Sequence, residues 1–195
     1  MLRKQNIAFF NNHLYKDILD KEEKLRKDVR KYPELKEYRK GGNRQKNKLP
    51  VWVAFSYFEL GTVTMMYNYL RGDLRKAILV YAFGQTTYAK RDTEVMDTWL
   101  DAVRNLRNYC AHNSMLVGMT SSVVLMDSND DATLLLADND LFSRIYALKK
   151  LIPIDDTNNM KKDIKKLINK TPVDILLLGI LPRSWEDIYD KIVEF

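Results

Sequence analysis

The sequence has little of the chemistry that disulfides and zinc sites require. Cys110 is its single cysteine, so no disulfide can form within the chain, and His13 and His112 are its only histidines. A structural zinc site takes about four Cys or His ligands at close spacing. We therefore expect no metal and no cofactor.

Long apolar runs are also missing. No window approaches the 18 or so uninterrupted apolar residues of a membrane-spanning helix. The first residues, Met1-Leu-Arg-Lys-Gln-Asn, lack the apolar stretch of a secretory signal. The 195 residues are 46% hydrophobic and 30% charged, the balance of an ordinary soluble domain. We expect a single domain over residues 1–195, located in the cytoplasm and not in a membrane.

Positive charge is concentrated in one segment. Residues 21–48 contain twelve Lys and Arg and five Asp and Glu, an excess of +7 in a chain whose net charge is +6. Such a stripe favours a polyanionic partner, because phosphate contacts with counterion release supply much of the affinity for nucleic acid. A solvated helix face is the alternative, since the acidic residues are interleaved with the basic ones.

Helical spacing of apolar residues predicts an all-α fold. Residues 1–48 form a basic helical segment and loop, with one apolar stripe from Ile7 to Ile18, a second from Leu25 to Tyr38 with a bend near Pro33, and a polar loop over 40–48. Residues 49–195 form the core. No internal repeat or low-complexity tract is present.

The core begins with an unusually apolar stretch. From Pro50, a typical first-turn proline, residues Val51–Tyr69 are apolar nearly all round, which predicts one continuous helix that is buried or paired with another subunit. Asp73 is a candidate cap for a short helix carrying Leu74, Ile78 and Tyr81 and ending at Gly84.

A long helix is expected from Asp92, and later segments are helical too. Its predicted buried stripe consists of Val95, Trp99, Val103, Leu106 and Cys110. Around 117–135 periodicity fails, and Val123-Val-Leu-Met126 fits either a short β-hairpin strand or an extended arm. Two more helices follow at 141–152 and 160–168, and Ser184-Trp-Glu-Asp187 has the form of a capping box.

The last turns of the long helix hold the candidate catalytic residues. The imidazole of His112 can exchange protons near neutral pH, and the Arg107 guanidinium offers a planar fork of donors to phosphate oxygens. Asn108 lies four residues before His112, on the same helix face, where it can orient the imidazole. Together these groups suffice for metal-free cleavage of RNA by its own 2′-hydroxyl.

The same residues also permit a purely structural interpretation. A histidine near a helix end is often a favourable charge at the negative end of the helix dipole. Tyr109 fits either a base-stacking role or helix packing with its hydroxyl exposed. His13 is best explained as a surface or structural residue.

Further RNA contacts are expected around the catalytic residues and in the basic segment. The candidates are Tyr109, Asn113, Arg104, Arg39, Lys40, Arg44, Lys46 and Lys48.

Three stretches carry a resemblance to a known family. Leu106-Arg-Asn-Tyr-Cys-Ala-His-Asn-Ser-Met-Leu116 resembles the Arg-Asn-x-Cys-Ala-His core of Abi-like (abortive infection) proteins, a bacterial antiphage group of the HEPN superfamily. Leu49-Pro-Val-Trp-Val-Ala54 with Gly61-Thr-Val63 is similar to the family's Pro-hydrophobic-Trp helix. Gly179-Ile-Leu-Pro-Arg-Ser-Trp-Glu186 is similar to its C-terminal element. The resemblance spans about residues 49–190.

The resemblance implies a HEPN-like helical bundle that forms a homodimer, in which two Arg-x4-His segments build one ribonuclease site. Arg107 and His112 match the defining positions, and Asn108 matches their polar companion. RNA is the implied substrate, and in some members a small non-coding RNA is the neutralising partner. Relatives are commonly longer at the N-terminus, so the chain resembles a compact member or one without an N-terminal region.

The chain departs from the family pattern after His112. Met115, Val117 and Met119 stand where Arg, Trp and Arg are usual. Two hypotheses therefore stay open: an endoribonuclease of an abortive-infection or toxin–antitoxin system, and a non-catalytic RNA-binding scaffold with a degenerate site. A DNA-binding regulator is disfavoured, because no helix-turn-helix pattern with a polar recognition helix is present.

Overall fold

The computed structural model describes residues 15–28, 30–38, 49–126, 137–193 and 195 and confirms the all-α prediction. In these residues no β-strand occurs. The α-helices are α1 (Tyr15–Lys27), α2 (Val51–Tyr57), α3 (Leu60–Tyr69), α4 (Gly72–Phe83), α5 (Lys90–Ala111), α6 (Leu141–Leu151), α7 (Ile154–Lys170) and α8 (Trp185–Lys191). A 3-10 helix spans Pro33–Tyr38.

The chain divides into two compact units. Unit 1 is Met1–Ala82 and unit 2 is Phe83–Phe195. The expectation of a single domain over residues 1–195 stays a prediction.

Unit 1 is built around a small apolar core. Leu35, Leu49 and Ala54 are buried, and half-buried side chains of α1, the 3-10 helix and α2 pack against them. The Leu49 backbone N–H donates to the Glu22 carboxylate of α1 over 2.9 Å, which ties the start of the α2 segment to the first helix. The second apolar stripe is not one α-helix. After α1 the stripe continues in the 3-10 helix, which begins at Pro33. Proline is tolerated at this first position, because an N–H there would have no partner within the helix.

The expectation of one helix over Val51–Tyr69 is wrong. Phe58 and Glu59 have extended backbones, with ψ of 135° and 151°, and separate α2 from α3. Phe58 thereby packs against the core of unit 1, a tertiary contact that no local sequence signal announces. The outer side of α2 is not buried within the chain, since Trp52 is 72% exposed. Pairing with another subunit remains a prediction for this helix.

Helix α4 ends as expected but buries a different side chain. Gly84 has φ of +79°, the left-handed conformation that terminates helices. The buried residue of α4 is Leu79, whereas Ile78 and Tyr81 of the predicted stripe are exposed.

Unit 2 is centred on the packing of α5 against α6. Trp99 of α5 is fully buried and meets the rings of Tyr146 and Phe195 edge-on, at centroid distances of 6.0 and 4.7 Å. The predicted stripe is confirmed at Val95 and Trp99. It is wrong at Cys110, which is exposed, because the contacts that bury the first half of α5 do not continue to its last turn.

The segment after α5 is held by hydrogen bonds from side chains and from isolated backbone groups, and not by a β-strand. The buried Arg144 guanidinium donates to the carbonyls of Val123 and Asp138. Leu125 N–H donates to the Asp138 carbonyl over 2.9 Å, and the Trp99 indole donates to the Met126 carbonyl, also over 2.9 Å. The predicted β-hairpin is absent from the described part, 117–126; residues 127–136 lie outside the described residues.

The C-terminal part of unit 2 packs α8 against α6 and α7. Trp185 and Tyr189 are buried with Phe142 and Leu181 in one apolar cluster. Lys161 of α7 lies 2.6 Å from the Asp190 carboxylate of α8. The predicted capping box at Ser184 does not form, because this residue has ψ of 26° and its side chain makes no cap hydrogen bond.

Tyr189 generates a prediction about alkaline stability. Its hydroxyl donates to the Thr157 carbonyl over 2.8 Å, and burial raises its pKa to about 12. Since the folded-state pKa lies above the unfolded value, this contribution is complete below about pH 10 and is lost as pH rises to about 12. We expect Tyr189→Phe to lower the free energy of unfolding by about 1 kcal/mol at pH 8, and the deficit to vanish near pH 12.

Denaturant titrations between pH 8 and 12 measure this difference. Tyr81→Phe, at a position 94% exposed, is the matched control and should behave as wild type. A Tyr189→Phe deficit that stays constant across the pH range contradicts the prediction.

Candidate functional site

The last two turns of α5 present the candidate catalytic residues to solvent. Arg107, Asn108 and His112 are all exposed. Arg107 Nη1 donates to the Asn108 side-chain oxygen over 3.2 Å, and the His112 backbone N–H donates to the Asn108 carbonyl over 3.0 Å. Asn108 therefore contacts both partners, through its side chain and its backbone respectively.

The end of α5 is a complete Schellman motif, and this fixes the position of His112. Asn113 has φ of +51°, its N–H donates to the Cys110 carbonyl over 3.2 Å, and Ser114 N–H donates to the Tyr109 carbonyl over 2.9 Å. This is the hydrogen-bond pattern that ends a helix at a left-handed residue. His112 is consequently the C-cap residue, where a protonated imidazole interacts favourably with the helix dipole.

Helix geometry places Arg107 and His112 on either side of one exposed edge, without stacking. Five residues of helix correspond to about 140° of rotation and about 7.5 Å of rise. Arg104, Asn108 and His112 follow one another at i, i+4 spacing and form a polar row beside Arg107. Arg104 is half-buried, with its guanidinium 3.1 Å from the Asp101 carboxylate, so its charge is partly compensated.

The electrostatic state of the site suits an anionic ligand. In the described part of the chain, Arg107 forms no ion pair with a carboxylate, and the His112 side chain has no hydrogen-bond partner. Nη1 of Arg107 is engaged by Asn108, which leaves the rest of the guanidinium fork to phosphate oxygens. The described residues contain no group of three His, Cys, Asp or Glu that could hold a metal ion.

Tyr109 and Asn113 differ from the other candidates in their structural roles. Tyr109 is half-buried, and its hydroxyl is close enough to act electrostatically on Arg144, whose pKa burial lowers. The structure thus places Tyr109 towards α6. The backbone of Asn113 terminates the helix, and its side chain is exposed next to His112. RNA contacts by either residue stay predictions.

The three departures from the family pattern fall into two groups. Met119 is 5% exposed, because a turn with Gly118 in the left-handed conformation brings it back to the protein interior. Met115 and Val117 are 74% and 48% exposed. Apolar surface therefore follows directly after the Arg107–His112 edge in the chain.

The basic candidates other than Arg104 all fall in the N-terminal segment. Arg39, Lys40, Arg44, Lys46 and Lys48 lie outside the described residues. The exposed Lys162, Lys166 and Lys170 of α7 form no ion pair within the described ranges and make a basic surface that the list of RNA-contact candidates did not include. Their i, i+4 spacing was the available signal.

Comparison with known families decides the affiliation. The sequence model of the family described as Abi-like protein matches residues 2–117, more than half of the chain. The chain belongs to the Abi-like protein family. Neither the curated proteins nor the solved structures provide a significant match. No helix among the described residues is long and apolar enough to cross a membrane.

The matched span differs from the stretch of about residues 49–190 over which the sequence resembles the family. It takes in the basic N-terminal segment, which the resemblance had left out, and it includes Arg107 and His112 of this Abi-like protein. The C-terminal element lies beyond it. There, Gly179 has φ of +67° and ends a short turn whose first residue, Asp174, accepts hydrogen bonds from the N–H groups of Leu176 and Leu177. Trp185 of this element is core.

The Schellman motif predicts how this Abi-like protein responds to substitution at position 113. We expect Asn113→Gly to leave the free energy of unfolding within a few tenths of a kcal/mol, because glycine adopts the left-handed conformation freely. We expect Asn113→Val to lower it by about 1–2 kcal/mol, since Cβ branching opposes φ of +51°.

Urea unfolding followed by circular dichroism measures both effects. Ser114→Val is the control, because Ser114 is exposed at the next position and no positive φ is found there. Equal stabilities for the Gly and Val variants at position 113 contradict the structural role.

Proposed function

We propose that this chain is a metal-independent endoribonuclease of a bacterial antiphage abortive-infection or toxin–antitoxin system. One observation carries the proposal: Arg107 and His112 are exposed together at the end of a long helix, without acidic partners in the described residues and inside the span that matches the Abi-like family. A phosphodiester is the ligand that such a cation and imidazole pair fits.

The proposed reaction uses the RNA's own ribose as nucleophile. The 2′-oxygen bonds to phosphorus as His112 accepts its proton, the bond from phosphorus to the 5′-oxygen breaks, and the departing oxygen takes up a proton. Arg107 stabilises the charge that builds up on the non-bridging oxygens. The products are a 2′,3′-cyclic phosphate and a 5′-hydroxyl, and neither water nor metal is consumed.

Asn108 acts as a positioning residue in this scheme. Its side-chain oxygen accepts from Arg107 and its carbonyl accepts from the His112 N–H. It thus limits the rotamers of the guanidinium before substrate arrives, which reduces the entropy lost in the transition state.

The complete site is proposed to need a homodimer of the HEPN type. Proton removal from the 2′-hydroxyl and proton delivery to the 5′-oxygen occur at opposite ends of the phosphodiester, and two copies of His112 can serve one end each. Met115 and Val117 supply exposed apolar area beside the site, which two copies can bury against each other.

RNA is the proposed substrate, and a small non-coding RNA is the proposed neutralising partner, in the cytoplasm. The excess of +7 over residues 21–48 supports binding of a polyanion. A bound RNA that occupies Arg107 and His112 without being cut would hold the enzyme inactive.

Catalysis is tested with purified protein and 5′-labelled single-stranded RNA in EDTA. Wild type should cut it to 2′,3′-cyclic phosphate ends. His112→Ala and Arg107→Ala should each lower the single-turnover rate by at least about 100-fold, the usual contribution of one general base or one charge-stabilising donor. Cleavage with unchanged rate in both variants would rule out the assignment.

Arg91→Ala is the matched control, because Arg91 is an exposed arginine in the first turn of the same helix. It should cut at the wild-type rate. If Arg91→Ala lowers the cleavage rate as much as Arg107→Ala, the rate depends on the total positive charge and not on the arginine at position 107.

Dimerisation is tested by sedimentation equilibrium. Met115→Glu/Val117→Glu should shift the protein towards monomer and lower cleavage in proportion, because the introduced charges would have to be buried. Leu177→Glu, at a position 68% exposed in the same unit, should leave the mass unchanged. A monomeric wild type that cleaves RNA contradicts the composite site.

A non-catalytic RNA-binding scaffold is the second candidate. The observation that favours it is the replacement of the usual downstream Arg, Trp and Arg by Met115, Val117 and Met119, which removes two cations from the region. Salt-sensitive RNA binding with unchanged RNA length, in wild type as in His112→Ala, would support this candidate over the nuclease.

A further inference from the structure

A pocket lies in unit 1, and part of its lining belongs to the basic segment 21–48. It has a volume of about 220 Å³ and is formed by α1, the turn that follows α1, and the break between α2 and α3. Its lining comprises Lys21, Lys24, Leu25, Asp28, Lys31, Tyr32, Tyr57, Phe58, Glu59 and Thr62. Ligand pockets for drug-sized molecules measure roughly 300–1,000 Å³, so this smaller one encloses one ring of a ligand, and the rest of the ligand lies at its open mouth.

The pocket wall is aromatic and continuous with the core of unit 1. Tyr32, Tyr57 and Phe58 are half-buried and pack against the buried cluster. Tyr32 and Tyr57 meet edge-on, with ring centroids 5.3 Å apart. A hydrogen bond to Glu34 raises the pKa of Tyr57. Lys31 Nζ lies over the Tyr32 ring, 5.3 Å from its centroid, so Tyr57 and Phe58 provide the surface on which a planar ring can stack.

Two cations of the pocket lie on α1, and a third, Lys31, interacts with the pocket carboxylates Asp28 and Glu59. Lys21 and Lys24 share one face of α1 at i, i+3 spacing, and neither forms an ion pair within the described part of the chain. Asp28 follows them on that face, with about 10 Å of helix rise between residues 21 and 28. The pKa of Lys31 is raised by a hydrogen bond to Tyr32 and by the Glu59 and Asp28 carboxylates.

The backbone break at Phe58 and Glu59 is part of this pocket. No proline or glycine causes it, and both residues are extended between two helices. Glu59 occupies the N-cap position of α3, yet its side chain makes no cap hydrogen bond. The interruption therefore places an aromatic ring and a carboxylate in the pocket without using that carboxylate to stabilise the helix.

We propose that this pocket binds one nucleoside 5′-phosphate unit whose base carries an exocyclic amino group, with the base on the aromatic wall, the amino group on Glu59 or Asp28, and the phosphate on Lys21 and Lys24. The unit is either a free mononucleotide or a nucleotide of a single-stranded RNA. A carboxylate accepts from the cytosine amino group but is repelled by the uracil carbonyl at the same position. The site does not depend on nuclease activity, because binding alone defines it.

The experiment compares CMP with UMP by isothermal titration calorimetry on full-length protein. The His112→Ala variant is used so that cleavage cannot alter any RNA ligand. CMP should bind at least tenfold more tightly than UMP, which corresponds to about 1.4 kcal/mol. It should also bind at least tenfold more tightly than cytidine or ribose 5-phosphate. Glu59→Gln should reduce the preference for CMP over UMP to less than threefold.

Lys24→Glu should lower the affinity for CMP at least tenfold, and Lys24→Arg should lower it less than threefold. Lys27→Glu is the matched control on the same helix, since Lys27 is exposed, pairs with Glu23 and does not line the pocket; it should change affinity less than twofold. Lys21→Glu repeats the test if Lys24→Glu does not fold.

A single-stranded oligocytidine distinguishes the two sources. Binding of the oligonucleotide at least tenfold tighter than CMP identifies a strand-binding site, and the reverse order identifies a mononucleotide site. No binding of either ligand, equal affinity for CMP and UMP, or affinity unaffected by both Lys24→Glu and Lys21→Glu would overturn the proposal.

Discussion

The buried guanidinium of Arg144 is the interaction on which unit 2 depends. Removing such a charge from water costs several kcal/mol, which is offset here by hydrogen bonds to the Val123 and Asp138 carbonyls and by the nearby Asp138 and Asp140 carboxylates. The segment that leaves α5 is thereby fixed to α6 without a strand. Trp99 and Thr98 of α5 bond the same segment at Met126. One short stretch of chain thus connects both central helices.

This arrangement determines what the candidate site can be. Helix α5 is anchored by Val95, Trp99 and Ala102, all buried, whereas Arg107 and His112 at its C-terminal end are exposed. Side chains at the free end of a well-anchored helix are positioned more accurately than side chains on a loop. The left-handed Asn113 then stops the helix one residue after His112. Glycine would make the same turn, but asparagine reduces the freedom of the unfolded chain and adds an amide beside the imidazole.

Sequence periodicity predicted the helices well and their surroundings less well. The spacing of Val95 and Trp99 identified the correct buried face of α5, and Gly84 identified the correct end of α4. The stripe failed at Cys110, because periodicity does not show where a packing partner ends. The break at Phe58 and Glu59 could not be predicted, since both residues are compatible with a helix and only tertiary contact selects their extended conformation. Ser184 has the capping-box pattern but not the backbone conformation.

For the candidate site, too, the sequence predicted which residues to consider, but not which of them the fold buries. Arg107 and His112 are exposed, and their catalytic role stays a prediction, while the separation of Met119 from Met115 and Val117 required the structure. Because Met119 is buried, an arginine there would need a buried counter-charge, and the fold itself explains the apolar residue. Met115 and Val117 are under no such constraint, since water surrounds both side chains. For these two positions the loss of arginine and tryptophan is therefore a change of surface, and it leaves Arg107, Asn108 and His112 intact.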